Sequence, residues 1–208
     1  MSKIKWNGGA LLAPVPPALV TCGTMERPNV LTIAWTGILN TIPPKTYIAV
    51  RPERFSYPLI ERLGAFVINL PTAKLVRAVD LCGVKSGRDT DKFALTGLTP
   101  VPAGEVPCPL IAESPLALEC RVTQKIPLGS HDMFLADIVA VDVEQSLIDR
   151  AGKLHLDRAG LLAYAHGEYF ELGKKLGSFG YSVRKKTRPP QKSRADGAGS
   201  ARKPRKKR

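Results

Sequence analysis

A chain of 208 residues is long enough for one domain with a sizeable core and too short for two comfortable ones. Its net charge of +13 suggests a nucleic-acid partner until the charge is located. Residues 184–208 hold 12 of the 31 Lys and Arg and one of the 18 Asp and Glu, whereas residues 1–183 carry 19 basic against 17 acidic side chains.

The body is therefore nearly neutral and the excess lies in the tail. That tail ends Lys-Pro-Arg-Lys-Lys-Arg and contains no Val, Leu, Ile, Met or aromatic residue. It cannot bury enough surface to offset its ordering entropy, so it is expected to be disordered. Its cations would bind any polyanion in a salt-dependent, nonspecific way; a solubilising extension is the plainer reading. Cys22, Cys82, Cys108 and Cys120 are widely spaced, with no CxxC pair and no His at zinc spacing. They read as buried, reduced thiols, and no metal site is expected. Gly, Pro and Asn interrupt the N-terminus, so no targeting segment is expected there. No window approaches the ~18 apolar residues of a membrane span, and a cytoplasmic protein is expected.

Along the chain, Ala18 to Gly23 reads as a strand, followed by a polar turn over Thr24 to Pro28. The next stretch, Asn29-Val-Leu-Thr-Ile-Ala-Trp-Thr-Gly37, alternates and forms its antiparallel partner. Leu31, Ile33 and Trp35 fall on one face, and Val30, Thr32, Ala34 and Thr36 on the other. Gly37 interrupts the run, as at a bulge or a close approach, and Pro43-Pro44 closes the loop because neither residue can donate to a ladder. Lys45 to Val50 is a third strand. Ser56 is placed to cap a helix of about two turns through Leu59, Ile60 and Leu63, stopped by Gly64. Ala65 to Leu70 is another strand, and Thr72 is placed to cap a second helix through Leu75, Val76, Val79 and Leu81.

Gly83 to Phe93 then reads as a polar loop, and the proline-rich stretch Pro100 to Pro115 as an irregular surface wrap. Leu116 to Thr123 and Met133 to Val143 alternate as strands, with Asp137 and Asp142 expected to face solvent. Tyr164 to Ser178 closes the folded part. This makes six or seven mostly antiparallel strands with two short helices in mid-chain. The helices do not alternate with the strands, and there is no GxGxxG, no GxxxxGK and no internal repeat. A doubly wound parallel sheet is thereby disfavoured, and an antiparallel barrel with inserted helices fits best.

Two features converge on an anion. Arg51 and Arg54 bracket the start of the Ser56 helix, where backbone amides and the helix dipole favour negative charge. Arginine forks onto two phosphate oxygens, and Ser56 adds a hydroxyl. The loop Lys85-Ser86-Gly87-Arg88 brings together a cation, a hydroxyl and a flexible backbone. Plainer readings stand beside both. Arg51 and Arg54 are equally consistent with solvated charges around Glu53, Ser56 with a cap alone, and Lys85 to Asp91 with a turn whose charges pair internally. Arg88, Asp89 and Asp91 read as structural.

The succession Asn29 to Gly37, Pro43-Pro44, Arg51-Pro-Glu-Arg-Phe-Ser56 and Gly64-Ala-Phe-Val-Ile-Asn69 resembles the flavin reductase-like, FMN-binding split-barrel family. The likeness continues through Cys82-Gly-Val-Lys-Ser-Gly-Arg-Asp-Thr-Asp-Lys-Phe93, Glu119-Cys120, Gly129-Ser-His-Asp-Met-Phe134 and Gly177-Ser-Phe-Gly-Tyr-Ser-Val183, and is nearest the flavoredoxin branch. It covers the body, residues 1–183, and none of the tail. The resemblance implies a mainly β fold, a six-stranded antiparallel Greek-key split barrel that forms a homodimer and holds FMN near the subunit interface. On that pattern Thr32, Ala34, Trp35, Thr36, Gly37 and Ile38, with Asn29 beside them, line the isoalloxazine and ribityl chain. Arg51, Arg54, Ser56, Lys85, Ser86, Gly87 and Lys92 lie near the phosphate. His131 is a neighbour of the flavin or nicotinamide, and His166 reaches the ring across the dimer; each histidine is also consistent with a packing role. Trp35 is equally consistent with a core position, and His155 carries no functional claim.

Hydride and electron transfer would be the flavin's chemistry, with NADH or NADPH as donor and the chain supplying binding and tuning. Three functions follow. One is an FMN-holding oxidoreductase between a donor and a small-molecule or protein acceptor. Another is a flavin reductase supplying reduced flavin to a monooxygenase. The third is a non-catalytic FMN electron carrier.

Overall fold

The computed structural model describes residues 1–184. The expected disordered tail falls on residues 185–208, outside the described ones, apart from Arg184. The chain divides into a compact unit, Met1–Lys174, and a second unit, Lys175–Arg208. In the described part of the second unit a single 3-10 turn spans Tyr181–Val183, and the Tyr181 ring lies so close to Gly177 that a Cβ there would meet it at 2.7 Å.

In chain order the first unit contains β1 (Ala18–Thr24), β2 (Arg27–Ile33), β3 (Thr36–Thr41), β4 (Pro44–Val50), α1 (Ser56–Leu63) and β5 (Ala65–Leu70). Then follow α2 (Val76–Val84), α3 (Lys92–Thr96), β6 (Pro100–Val101), β7 (Leu110–Ile111), β8 (Leu116–Pro127), β9 (Asp132–Val143), β10 (Leu162–Ala165) and β11 (Glu168–Glu171). Seven strands form one antiparallel sheet in the order β2-β1-β5-β8-β9-β4-β3, and β6–β7 and β10–β11 are separate two-stranded ribbons. The mainly β architecture with short inserted helices is the one the sequence leads to.

Alternation in the strands selects the inner face. Val20, Leu31, Ile48, Phe66, Cys120 and Phe134, from six different strands, meet in one buried core, and α1 adds Ile60. Leu31 and Ile33 of one end strand share that core with Ile48 and Val50, next to the opposite end, so the sheet curls into a barrel. Ala34 and Trp35 carry the chain directly from one sheet end to the other. Each fully buried side chain of this size contributes about 1.5–3 kcal/mol.

The outer face is covered too. Leu19 and Val30 lie under α2 and α3 against Val79, Cys82 and Phe93, while Val67 and Ala117 lie under Val106 and Cys108. Segment 100–115 is therefore not an irregular surface wrap. It contains the β6–β7 ribbon, and the buried Glu119 carboxylate accepts backbone N–H bonds from Gly104 (2.9 Å), Glu105 (2.6 Å) and Val106 (2.9 Å). Proline punctuation conceals the ribbon in the sequence, because it is held by long-range partners.

Other local expectations change in the same way. Ser56 is the first helical residue and not a cap: Phe55 precedes it in helical geometry, and no side chain caps α1. Thr72 starts a 3-10 turn, Ala73–Leu75, without a side-chain cap, and α2 begins only at Val76. The loop after α2 ends in a third helix, α3, capped by Asp91 through a 3.1 Å bond from the Ala94 amide and closed by left-handed Gly97. Gly37 makes a close approach to the Tyr47 ring, where a Cβ would lie 3.4 Å away, while the irregularity in β3 falls between Ile38 and Asn40. Asp137 pairs with Lys45 at the surface, but Asp142 has a buried Oδ2 and does not simply face solvent. All four cysteines are free and buried. Among the described residues no helix is long and apolar enough to cross a membrane.

Candidate functional site

Two cavities adjoin at the end of β2 and share Leu31, Arg51 and Arg54. Their volumes of about 300 and 540 Å³ fall in the range of small-molecule sites, roughly 300–1,000 Å³. The first is lined by Thr32, Ala34, Trp35, Tyr164, Tyr169 and His131 in addition to the shared arginines. The two tyrosines face each other across β10–β11 with ring centroids 5.5 Å apart, and Tyr169 reaches Asp80 of α2 at 3.4 Å. This cavity suits a flat ring system.

The second cavity is cationic. Arg51, Arg54, Lys85, Arg88 and Lys92 line it against a single carboxylate, Glu53. Ser56, Ser86 and Gly87 complete its wall. The first turn of α1 contributes less than its position suggests, because the Tyr57 amide already bonds the Arg54 carbonyl at 2.9 Å and Pro58 has no amide. Side-chain cations therefore carry most of the charge. Arg54 is held in place by donating to the Gly83 carbonyl at 3.0 Å.

Behind this wall lies a buried polar knot. Asn29 Nδ2 donates to Ser56 Oγ at 2.7 Å and to Cys22 Sγ at 3.5 Å. Lys92 is 6% exposed and donates to the Val30 and Cys82 carbonyls at 2.8 and 2.9 Å. Burial lowers its pKa below the ordinary lysine value, with Cys82 opposing and Arg54 adding to the drop. Burial also pushes the Cys22 and Cys82 thiols up to about 11, so neither serves as a nucleophile at neutral pH. His131 is held below its ordinary value by burial and then by Arg51, and its Nδ1 lies 2.9 Å from Ser130 Oγ. Arg51 and Arg54 line both cavities, so their positive charge reaches the ring cavity as well.

The structure brings together Thr32, Ala34, Trp35, Arg51, Arg54, Ser56, Lys85, Ser86, Gly87 and Lys92 as lining residues. Asn29 stands behind Ser56. Thr36, Gly37 and Ile38 lie on β3, and none of them lines either cavity. Thr32 and Thr36 spend their hydroxyl protons on the Val79 and Tyr47 carbonyls. His166 lines a neighbouring cleft together with Trp35 and Tyr164. Sequence reasoning missed Tyr164, Tyr169 and Phe55, and it read Arg88, which also faces the anion cavity, as structural. No sequence signal fixes the tyrosines, since their hairpin is returned to the site by the long excursion between β9 and β10.

The flavin reductase like domain pattern matches residues 11–173. The chain belongs to that family. It is similar to the flavoredoxin of Desulfovibrio vulgaris (Miyazaki F), with 31% identity and a TM-score of 0.81 over 88% of this chain and all of that one. The flavoredoxin of Methanosarcina acetivorans shares 26% identity over the same fractions, with a TM-score of 0.78. The NADH-dependent FMN reductase RutF of Enterobacter cloacae is 25% identical over 99 residues, 48% of this chain and 58% of that protein. In family terms, the barrel is a flavin reductase-like split barrel, and the joined cavities are its candidate flavin site. The donor set fits a flavin mononucleotide: an aromatic-walled slot for a flat ring next to a pocket with five cations for a phosphate dianion.

Proposed function

We propose that this chain is an FMN-dependent oxidoreductase that passes electrons from a donor such as NADH or NADPH to an acceptor. The observation that carries the reading is the excess of five cations over one carboxylate in a pocket that opens onto an aromatic-walled slot. Bound flavin would supply the hydride and electron chemistry. The chain's residues bind, orient and tune. Arg51 and Arg54, shared by both cavities, hold the phosphate and fix how far the ring reaches into the slot. Ser56 offers its hydroxyl from a position locked by Asn29. Trp35, Tyr164 and Tyr169 shield the ring from water, and His131 lines the same slot.

The exposed apolar side chains Ile38 and Leu39 of β3 and Ile42 of the turn that follows, at 63, 47 and 90% exposure, favour a homodimer formed through that edge. The test of function is the absorbance spectrum from about 300 to 600 nm, recorded before and after anaerobic NADH. Flavin bands that bleach are expected. Purified protein that neither contains nor takes up added FMN would overturn the reading.

A further inference from the structure

β4 and β9 run antiparallel with Val50 opposite Asp132, so Arg51 and His131, the next residue on each strand, leave the end of the ladder side by side. The backbone at His131 is well held. Its carbonyl accepts the Leu128 amide at 3.0 Å, and the neighbouring Asp132 Oδ2 accepts the Tyr57 hydroxyl from α1 at 2.5 Å. Arg51 and His131 both line the ring cavity, and Arg51 and Arg54 also line the anion pocket. Two cations are therefore common to the place where an anion would sit and the place where His131 sits.

Burial first, then Arg51 and Arg54, disfavours the protonated His131 ring, while Glu53 opposes them. Glu53 is itself paired with Arg51 at 3.5 Å. Tyr164 and Tyr169 of the β10–β11 ribbon add only phenols to the lining, and Asp132 is taken by Tyr57. An anion seated on the two arginines cancels the electrostatic part of this barrier and leaves only burial. Ser130 Oγ lies 2.9 Å from His131 Nδ1, placed to accept a hydrogen bond from the protonated ring.

We propose that anion binding between Arg51 and Arg54 is linked to proton uptake by His131: the shared arginines transmit the charge of a dianion to the ring cavity, where His131 takes a proton from solvent. The ring cavity thereby gains a proton-bearing cation only when the neighbouring pocket is filled. By reciprocity the anion binds more tightly when His131 is protonated, and its affinity falls as pH rises through the His131 midpoint. The linkage rests on the anion-pocket reading and not on the identity of any electron donor or acceptor.

The probe is sulfate, a dianion whose own charge is constant across neutral pH. The chain has three histidines, so the His131 Hε1 signal is assigned by its loss in His131→Gln. It is followed in a proton NMR pH titration of the flavin-free full chain, in sulfate and in chloride at equal ionic strength. Sulfate is expected to raise the His131 midpoint by about half a unit, equivalent to about threefold tighter sulfate binding below the midpoint than above it. Arg54→Ala should raise the midpoint without sulfate and blunt the response to it, and Arg54→Lys, which keeps the charge, should restore both. Saturable sulfate binding with an unmoved midpoint overturns the linkage and leaves the anion pocket standing. A sulfate response of full size in Arg54→Ala overturns it as well, because the charge would then reach His131 by another route. Absence of saturable sulfate binding overturns the pocket itself, and the linkage with it.

Discussion

Gly87 stands against Asn29 so closely that a Cβ at residue 87 would lie 2.1 Å from Asn29 Oδ1, and 2.8 Å from the Phe55 ring. No side chain fits there without displacing the amide that also holds Ser56. Gly87→Ala should therefore disturb two walls of the anion pocket at once. We expect FMN affinity to fall at least tenfold and the melting temperature by several degrees. A fluorescence titration with FMN together with a thermal melt checks this, and unchanged affinity would show that the loop does not shape the phosphate site.

Arg54 lines both cavities, whereas Arg88 lines only the outer one. Loss of a charged hydrogen bond to phosphate costs about 1.5–3 kcal/mol, or roughly 10- to 100-fold in affinity. Arg54→Ala and Ser56→Ala are expected to weaken FMN binding by more than Arg88→Ala does. An equal Arg88 effect would move the phosphate toward the 85–88 loop.

Lys92 has a structural task in addition to its place in the pocket wall. Lys92→Met strands the Val30 and Cys82 carbonyls that its ammonium now satisfies. The expected loss of stability is about 1–3 kcal/mol. Denaturant unfolding of the flavin-free protein measures it without interference from cofactor binding.

Asp142 gives stability a pH dependence. Burial, then the neighbouring Glu119, raises its carboxyl above the ordinary 3.8. Between the unfolded value and that raised value the folded chain binds the extra proton, so stability falls as pH increases through the window. Asp142→Asn removes the titration. It should raise the melting temperature above the window and flatten its pH profile; a variant less stable than wild type at pH 8 would contradict the assignment.

The apolar β3 edge predicts assembly. Ile42→Asp, at a 90% exposed position, should leave the barrel folded and shift the protein toward monomer in sedimentation velocity. An unchanged sedimentation coefficient would exclude this edge as the interface.

The sequence by itself determined what depends on near neighbours along the chain. Alternation from Asn29 marked β2 as far as Ile33, because side chains in a strand alternate faces whatever the fold does elsewhere. Arg51-Pro-Glu-Arg-Phe-Ser56 pointed to an anion because its two cations and hydroxyl lie within six residues, and all three line one cavity. Only the tertiary structure decided which long-range partner claims each polar group. Ser56 reads as a cap, but Asn29, from β2, holds its hydroxyl. Lys92 reads as a phosphate ligand, but its ammonium bonds the carbonyls of Val30 in β2 and Cys82 in α2. Segment 100–115 reads as irregular until the Glu119 carboxylate gathers its amides. Tyr164 and Tyr169 reach the ring cavity through a fold-back that no local pattern encodes. Packing energies are summed over contacts distant in sequence, and those contacts exist only once the barrel has closed.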